Sequence, residues 1–358
     1  MESFTDEIIR LDVNMIDPLI SLLVAVLLIF IGFVLFWPDR GLLYRWRQAR
    51  KMTERVLMED ILKHIHNCEM AGHPPTLQSI AGALQIHPNL ASDVLKKMEA
   101  GNLVRLEGGS PRLTASGRRS ALHILRVHRL WERYLADETG FDESEWHRRA
   151  DRHEHQLSAE DADALSAQLG HPTHDPHGDP IPTAEGELVE GRGVHLTGVD
   201  MNVLVRIIHI EDEPETIYAQ LVAEGLHPGM FVRIVEKTPQ RFRLWANGDE
   251  HVLAPIVANN ITVLPVPEDQ APLYPFGERL SSLKPGEMGK VLGISPGCRG
   301  LERRRLMDLG VLPGTMIKAE YSSSVGDPTA YRIRDALIAL REEQANLIRI
   351  TPIEEDVQ

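Results

Sequence analysis

Residues Leu19 to Trp37 form an uncharged run whose only weakly polar members are Ser21 and Gly32. No other stretch constrains the fold as strongly, because a helix that is apolar on every face must be buried all round or lie in lipid. At about 1.5 Å rise per residue the run spans roughly 28 Å, enough for a hydrocarbon core about 30 Å thick. Glu2, Asp6, Glu7, Asp12 and Asp17 precede it against a single Arg10, whereas Arg40, Arg45, Arg47, Arg50 and Lys51 follow it. The positive-inside bias predicts a single-pass helix over 19–37 in the inner (cytoplasmic) membrane, with a short extracytoplasmic tail over 1–18. A basic juxtamembrane helix over 38–56 and all later domains are then expected in the cytoplasm. A cleaved signal peptide would need a positive n-region and a shorter apolar run, and neither is present.

The chain has 358 residues, 43% of them hydrophobic and 25% charged, which predicts several folded units. A net charge of −14 argues against bulk, non-specific nucleic-acid binding but leaves room for a local basic face. Cys68 and Cys298 are the only cysteines, so neither a disulfide framework nor a thiolate zinc cluster can be built.

Beyond the apolar run the periodicity is first helical. Val56, Leu57, Ile61, Leu62 and Ile65 line one side of a helix over about 53–68. Thr76 can cap a short helix over 77–84, and a second helix starts near Pro88 or Asn89 and runs to about Ala100. The strand Leu103–Leu106, the turn Glu107–Ser110 and Arg112-Leu113 read as a hairpin wing, which completes a winged helix-turn-helix over 57–120. Helices are expected over about 114–137, 143–155 and 159–169. The proline-punctuated stretch His171–Pro182 reads as a solvated linker closing a helical domain over 121–182. After it the texture changes to short β-rich runs. Leu221–Gly229 is echoed by Leu306–Gly314, each a helix end, a Gly cap and a Pro-Gly turn, so two small β-barrels in tandem are expected over 194–267 and 277–353.

His147, Asp151, Glu154 and His155 sit at helical offsets of 0, 4, 7 and 8, inside a sector of about 100°. His128 and Glu132 make an i, i+4 pair on the preceding helix. A facing pair of helices could gather these imidazoles and carboxylates around a divalent transition metal, and oxygen-rich ligation without thiolate leans towards Mn²⁺ or Fe²⁺. The alternative is a solvated, salt-bridged helix face.

From about Leu57 to Pro182 the sequence resembles the diphtheria-toxin-repressor and manganese-transport-regulator family of metal-dependent transcription factors. The likeness lies in His128–Arg133, Ala150–Ser158 and Asp175–Pro182. It implies a primary metal site of Asp151, Glu154 and His155 with Asp60 as the fourth side chain, and an ancillary site of His128, Glu132 and His147. It also implies a homodimer that binds operator DNA. Two departures leave the metal open: Asp151 stands where family members carry Cys or Glu, and Lys63 stands where manganese regulators carry Glu. Leu283–Glu287, Arg304–Gly314 and Ile338–Leu340 resemble the FeoA/SH3-like domain of iron regulators, and 194–267 resembles a divergent copy. By the same likeness His209 and Asp212 are candidate ancillary ligands, whereas His171, His174 and His177 could bind metal but read better as residues of a solvated linker.

For DNA, the second helix of the helix-turn-helix offers Asn89, Ser92, Lys96 and Lys97, and the wing offers Arg105 and Arg112, with Asp93 opposing. The expected function is therefore a membrane-anchored, metal-dependent transcriptional regulator of metal homeostasis. Pro38–Leu43 also resembles the cytoplasmic exit of metal ABC-transporter permeases, which keeps a second expectation open: a metal-sensing accessory subunit of a manganese or iron transporter, without DNA binding. No phosphate loop or nucleophile elbow suggests an enzyme.

Overall fold

The structure, a computed structural model, describes residues 22–24, 26–28, 30, 54–189, 193–246, 248–267 and 277–353. The expected membrane helix over 19–37 and the juxtamembrane segment lie for the most part outside these residues. Residues 22–24, 26–28 and 30 are helical with exposed side chains, and among the described residues no helix is long and apolar enough to cross a membrane.

The winged helix-turn-helix forms where the periodicity places it. Helix α1 (Glu54–Met70) buries Leu57, Ile61, Leu62 and Ile65, spaced one turn apart, against α2 (Leu77–Ala83) and α3 (Pro88–Ala100). Thr76 caps α2 through its hydroxyl, which accepts from Ser79 N at 3.0 Å, while Ser79 Oγ accepts from Thr76 N. His87 caps α3 by accepting from Asn89 N at 3.2 Å, and Pro88 fills the first helical position, where no N–H is needed. Strands β1 (Val104–Glu107) and β2 (Ser110–Leu113) pair antiparallel with Val104 opposite Leu113, and both of these residues turn inward to the same core.

Helix α4 (Ala115–Glu138) links two cores. Its first turns bury Ala121 with the winged helix, and its second half buries Val127 and Leu130 against α6 (Ala159–Gln168) and Ile181. Helix α5 (Glu143–His153) is highly polar and buries only Trp146 and Ala150. It ends at His153, two residues short of the expected boundary, with Glu154 as its C-cap.

The rest of the chain is a structural duplication. Strands β3 (Val194–His195), β4 (Leu204–Ile210), β5 (Phe231–Lys237), β6 (Phe242–Ala246), β7 (Asp249–Leu253) and β8 (Ile261–Pro265) form one antiparallel sheet in the order β3-β8-β4-β5-β6-β7. Strands β9 (Glu278–Arg279), β10 (Met288–Ile294), β11 (Met316–Ser322), β12 (Thr329–Ile333), β13 (Ala336–Leu340) and β14 (Ile348–Ile353) repeat it as β9-β14-β10-β11-β12-β13. A helix follows the second strand of each copy, α7 (Glu215–Ala223) and α9 (Gly300–Asp308), and a short one precedes the last strand, α8 (Pro255–Ala258) and α10 (Glu342–Asn346). The register irregularities also correspond: Ile207/His209 matches Val291/Gly293, and Ile234/Glu236 matches Ala319/Tyr321. The two copies form six-stranded sheets with edges at β3, β7, β9 and β13.

The segment read as a linker is instead packed. Asp175 is buried, and its Oδ1 accepts from the N–H groups of His177, Gly178 and Asp179, each at 2.9 Å. Arg129 on α4 donates to Pro180 O at 2.6 Å, and Arg299 of the second sheet domain donates to Pro176 O at 3.0 Å. Gly178, at φ +98°, lies against β4 so closely that a Cβ would stand 1.9 Å from Ile208 O. The prolines prevent regular structure, but a carboxylate that takes three backbone donors organises the loop without any.

Candidate metal centre

Four groups of donors converge between α1, α4, α5, the 171–182 loop and the end of β4. At the winged-helix end, α1 contributes Glu59 and Asp60. His155, just past α5, places Nε2 3.2 Å from Asp60 Oδ1 and 3.6 Å from Glu154 Oε1, and its Nδ1 2.8 Å from Glu59 Oε2. Helix α5 stops at His153, and Glu154, its C-cap, and His155 just beyond it both reach Asp60 of α1 in one donor group. Burial alone would lower the His155 pKa, but the neighbouring carboxylates of Asp60 and Glu59 raise it to about 10. Burial would raise Glu59, and its hydrogen bonds with His155 and Arg55 more than reverse that.

The middle group is His128, Asp151 and Glu154. His128 Nδ1 lies 2.5 Å from Glu154 Oε2 and 3.4 Å from Asp151 Oδ1. One turn beyond Asp60 on α1, Lys63 places its ammonium 3.0 Å from Glu154 Oε2 and 3.2 Å from Asp151 Oδ1. Burial would raise Glu154, but Lys63 and His128 hold it down at about 2.

The third and fourth groups share Glu132. His128 Nε2 and His147 Nδ1 lie 3.0 and 3.1 Å from Glu132 Oε1, and His147 Nδ1 lies 3.0 Å from Asp212 Oδ2, at the end of β4. His177 enters from the loop, 2% exposed, with Nε2 3.8 Å from Glu132 Oε1 and no hydrogen-bond partner for either ring nitrogen. Burial works against a charged His128, and Lys63 adds to that, but the Glu132 and Glu154 carboxylates bring its pKa up to about 9. His147 is likewise opposed by burial and raised to about 11 by Asp212 and Glu132. A cavity of about 630 Å³, lined by Glu143, His147, His177, Asp212, Glu213 and Tyr218 among others, opens beside this group.

These donors fit a divalent transition metal. Carboxylates of Glu59, Asp60, Asp151, Glu154, Glu132 and Asp212 face two fixed cations, Lys63 and, at Glu59, Arg55, so the centre is short of positive charge. Without an ion, protonated imidazoles supply it. The orphaned nitrogens of buried His177 are the sharper sign, because a buried polar atom without a partner is costly unless something else meets it.

Residues 114–183 match the family described as iron dependent repressor, metal binding and dimerisation domain, and residues 278–352 match the FeoA domain. The chain is 30% identical over 211 residues to the iron-dependent repressor IdeR of Mycobacterium leprae (strain TN), a match covering 55% of this chain and 91% of that protein. The chain belongs to this iron-dependent repressor family. It is also 30% identical over 216 residues to the diphtheria toxin repressor of Corynebacterium diphtheriae, covering 57% of this chain and 95% of that one. Among solved structures, a manganese-dependent transcriptional repressor in complex with manganese aligns with a TM-score of 0.53 and 26% identity, over 58% of this chain and 99% of the other.

In this repressor-family chain the structure brings together Asp60, Asp151, Glu154, His155, His128, Glu132, His147 and Asp212. It does not bring in His209, whose Nε2 lies 3.5 Å from Asp179 Oδ1. Glu59 and Lys63 join the centre although sequence reasoning assigns them no ligand role, and His177 joins it although the linker reading is preferred there. The signals were Glu59 beside Asp60, and a histidine inside a motif too proline-rich to be read as a packed loop.

On the presumed DNA face Asn89 is exposed and Ser92 half-buried. Lys96 pairs with Asp93 at 3.2 Å, Lys97 with Glu54 at 2.6 Å and Arg105 with Glu107 at 2.8 Å, while Arg112 is half-buried on β2. These exposed pairs are worth only about 0–1 kcal/mol each, so phosphate can displace the carboxylates.

Proposed function

We propose that this chain is a metal-activated transcriptional regulator of metal homeostasis that binds operator DNA as a homodimer, with Mn²⁺ or Fe²⁺ as the activating ion. One observation carries this reading. Helix α1, which packs against both helices of the helix-turn-helix, also carries Glu59 and Asp60 against His155 of the helical domain. A divalent cation bound by Asp60, Glu154 and His155 would supply the positive charge that fixes the winged helix to that domain. Two recognition helices in a dimer must lie about 34 Å apart to read successive major grooves, and such a linkage sets their spacing.

The relatives named above are repressors, one iron-dependent and one manganese-dependent by name, which supports the regulator over an enzyme. The nitrogen and oxygen donors, without thiolate, suit either ion. His147, Glu132, Asp212 and His177, with His128, are proposed as a second, ancillary position. We also read both sheet domains as SH3-like folds, and residues 19–37 as a single-pass anchor that keeps the domains from α1 onward in the cytoplasm. A reporter fused after Gln358 should then be active only in the cytoplasm, and a periplasmic signal would reverse the orientation.

The regulator is tested by gel shift of the detergent-solubilised protein on DNA upstream of metal-transport genes. Retardation is expected with Mn²⁺ or Fe²⁺ and not with chelator. Absence of retardation under every metal, with co-purification of a permease, would favour a transporter subunit instead.

A further inference from the structure

The middle donor group has the composition of a cation site and is already filled by the chain. His128 Nδ1, Asp151 Oδ1 and Glu154 Oε2 all lie within 4.8 Å of one another, as do the members of the groups on either side. Lys63 Nζ stands 3.2 Å from the first, 3.2 Å from the second and 3.0 Å from the third. Its side chain is only 18% exposed, and that of Glu154 2%. Glu154 faces both ways, with Oε1 towards His155 and Oε2 towards Lys63 and His128.

We propose that Lys63 is a tethered cation: its ammonium takes the central of three adjoining cation positions and so limits how many divalent ions the centre can hold. The inference rests on the metal reading above and goes beyond it by assigning ion stoichiometry to one residue. An ammonium carries a single charge and three N–H donors, and here it donates to two carboxylates, with His128 Nδ1 beside it at 3.2 Å. If it is removed, two carboxylates remain in a confined space with a nitrogen donor, a set that a divalent cation satisfies. Because Lys63 lies on α1 and its partners on α4 and α5, it also joins the winged helix to the helical domain before any ion arrives.

Native mass spectrometry of the full chain in detergent, loaded with excess Mn²⁺ and then desalted, reads the stoichiometry directly. Lys63→Gln, which keeps the side chain polar and removes the charge, is expected to bind an additional ion per chain relative to the parent. Lys63→Arg, which keeps the charge, is expected to match the parent. Equal stoichiometry in parent and Lys63→Gln overturns the proposal, whereas a parent that binds no ion overturns the metal reading itself. Should Lys63→Gln fail to fold, the parent decides alone. Lys63 should stay protected from amine-directed acylation both with chelator and with Mn²⁺, and acylation that rises on adding Mn²⁺ would mean that the ion displaces the ammonium, contradicting its role as a resident cation.

Discussion

Glu154 is the residue on which the centre turns, because Lys63, His128 and His155 all face its carboxylate. Replacing it with alanine leaves a largely buried ammonium with Asp151 as its one carboxylate partner, so the cost stays below the roughly 3–5 kcal/mol of a fully broken buried pair. Glu154→Ala should therefore lower the melting temperature of the metal-free protein and also abolish the rise that Mn²⁺ produces in the parent; differential scanning calorimetry reads both. A variant that still gains stability from Mn²⁺ like the parent would place the ion elsewhere. The imidazoles give a pH signature. His128, His147 and His155 have folded pKa values raised to about 9, 11 and 10, above their ordinary value. Their contribution to metal-free stability is fully present below about pH 6.5 and is lost as pH rises through about 9–11. Ligation needs neutral nitrogens, so ion binding at pH 7 should release protons, and affinity should climb with pH over the same window. Calorimetric titration in two buffers of different ionisation enthalpy measures that release, and a heat independent of buffer would count against imidazole ligation. At this scale the sequence displayed the donors but not their connections. Asp151, Glu154 and His155 are read from spacing and Asp60 from the resemblance, and they lie together, whereas His209 lies against Asp179.

Among the elements, the helices were the most legible and the 171–182 loop the least. Apolar spacing gave α1, and Thr76, Pro88 and Thr114 marked the starts of α2, α3 and α4, because caps are local chemistry. The end of α5 at His153 was not legible, since no glycine or proline stops it. The loop was misread for a related reason. Its prolines exclude helix and strand, but they do not reveal that Asp175 gathers three backbone donors or that two arginines clasp it from outside. Gly178→Ala tests whether this packing delivers His177 to the centre. The new methyl would meet the backbone of β4, and the left-handed φ adds strain of about 1 kcal/mol or more. The variant should retain the ion held by Asp60, Glu154 and His155 but lose affinity at the Glu132–His177–Asp212 group. Metal titration would then show weakening of one binding phase only, and two unchanged phases would remove His177 from the centre.

For the whole molecule, the proposed function requires a metal centre to be coupled to DNA in a chain of net charge −14. On that proposal binding rests on the local basic groups of α3 and the wing. Lys96→Ala, Lys97→Ala and Arg112→Ala should each weaken DNA binding, and each lost phosphate contact should flatten the logarithmic salt dependence by about one unit. The duplicated sheets were visible in sequence as the Pro-Gly echo, but their common strand order was not, because pairing is set by contacts distant along the chain. Their docking onto the helical half is specific. Tyr218 of the first copy donates to Glu143 at 2.5 Å, and Arg304 of the second donates to Glu138 at 2.6 Å, so both copies pack against the helical domain. The most direct measurement is fluorescence anisotropy of labelled operator DNA titrated with the full chain, with Mn²⁺ or with chelator, for the parent and for Asp60→Ala. If an ion at α1 couples the winged helix to the helical domain, Mn²⁺ should tighten DNA binding by the parent about 5- to 150-fold, the range of ordinary allosteric coupling, and leave Asp60→Ala unchanged. Equal enhancement in the parent and in Asp60→Ala would contradict that coupling.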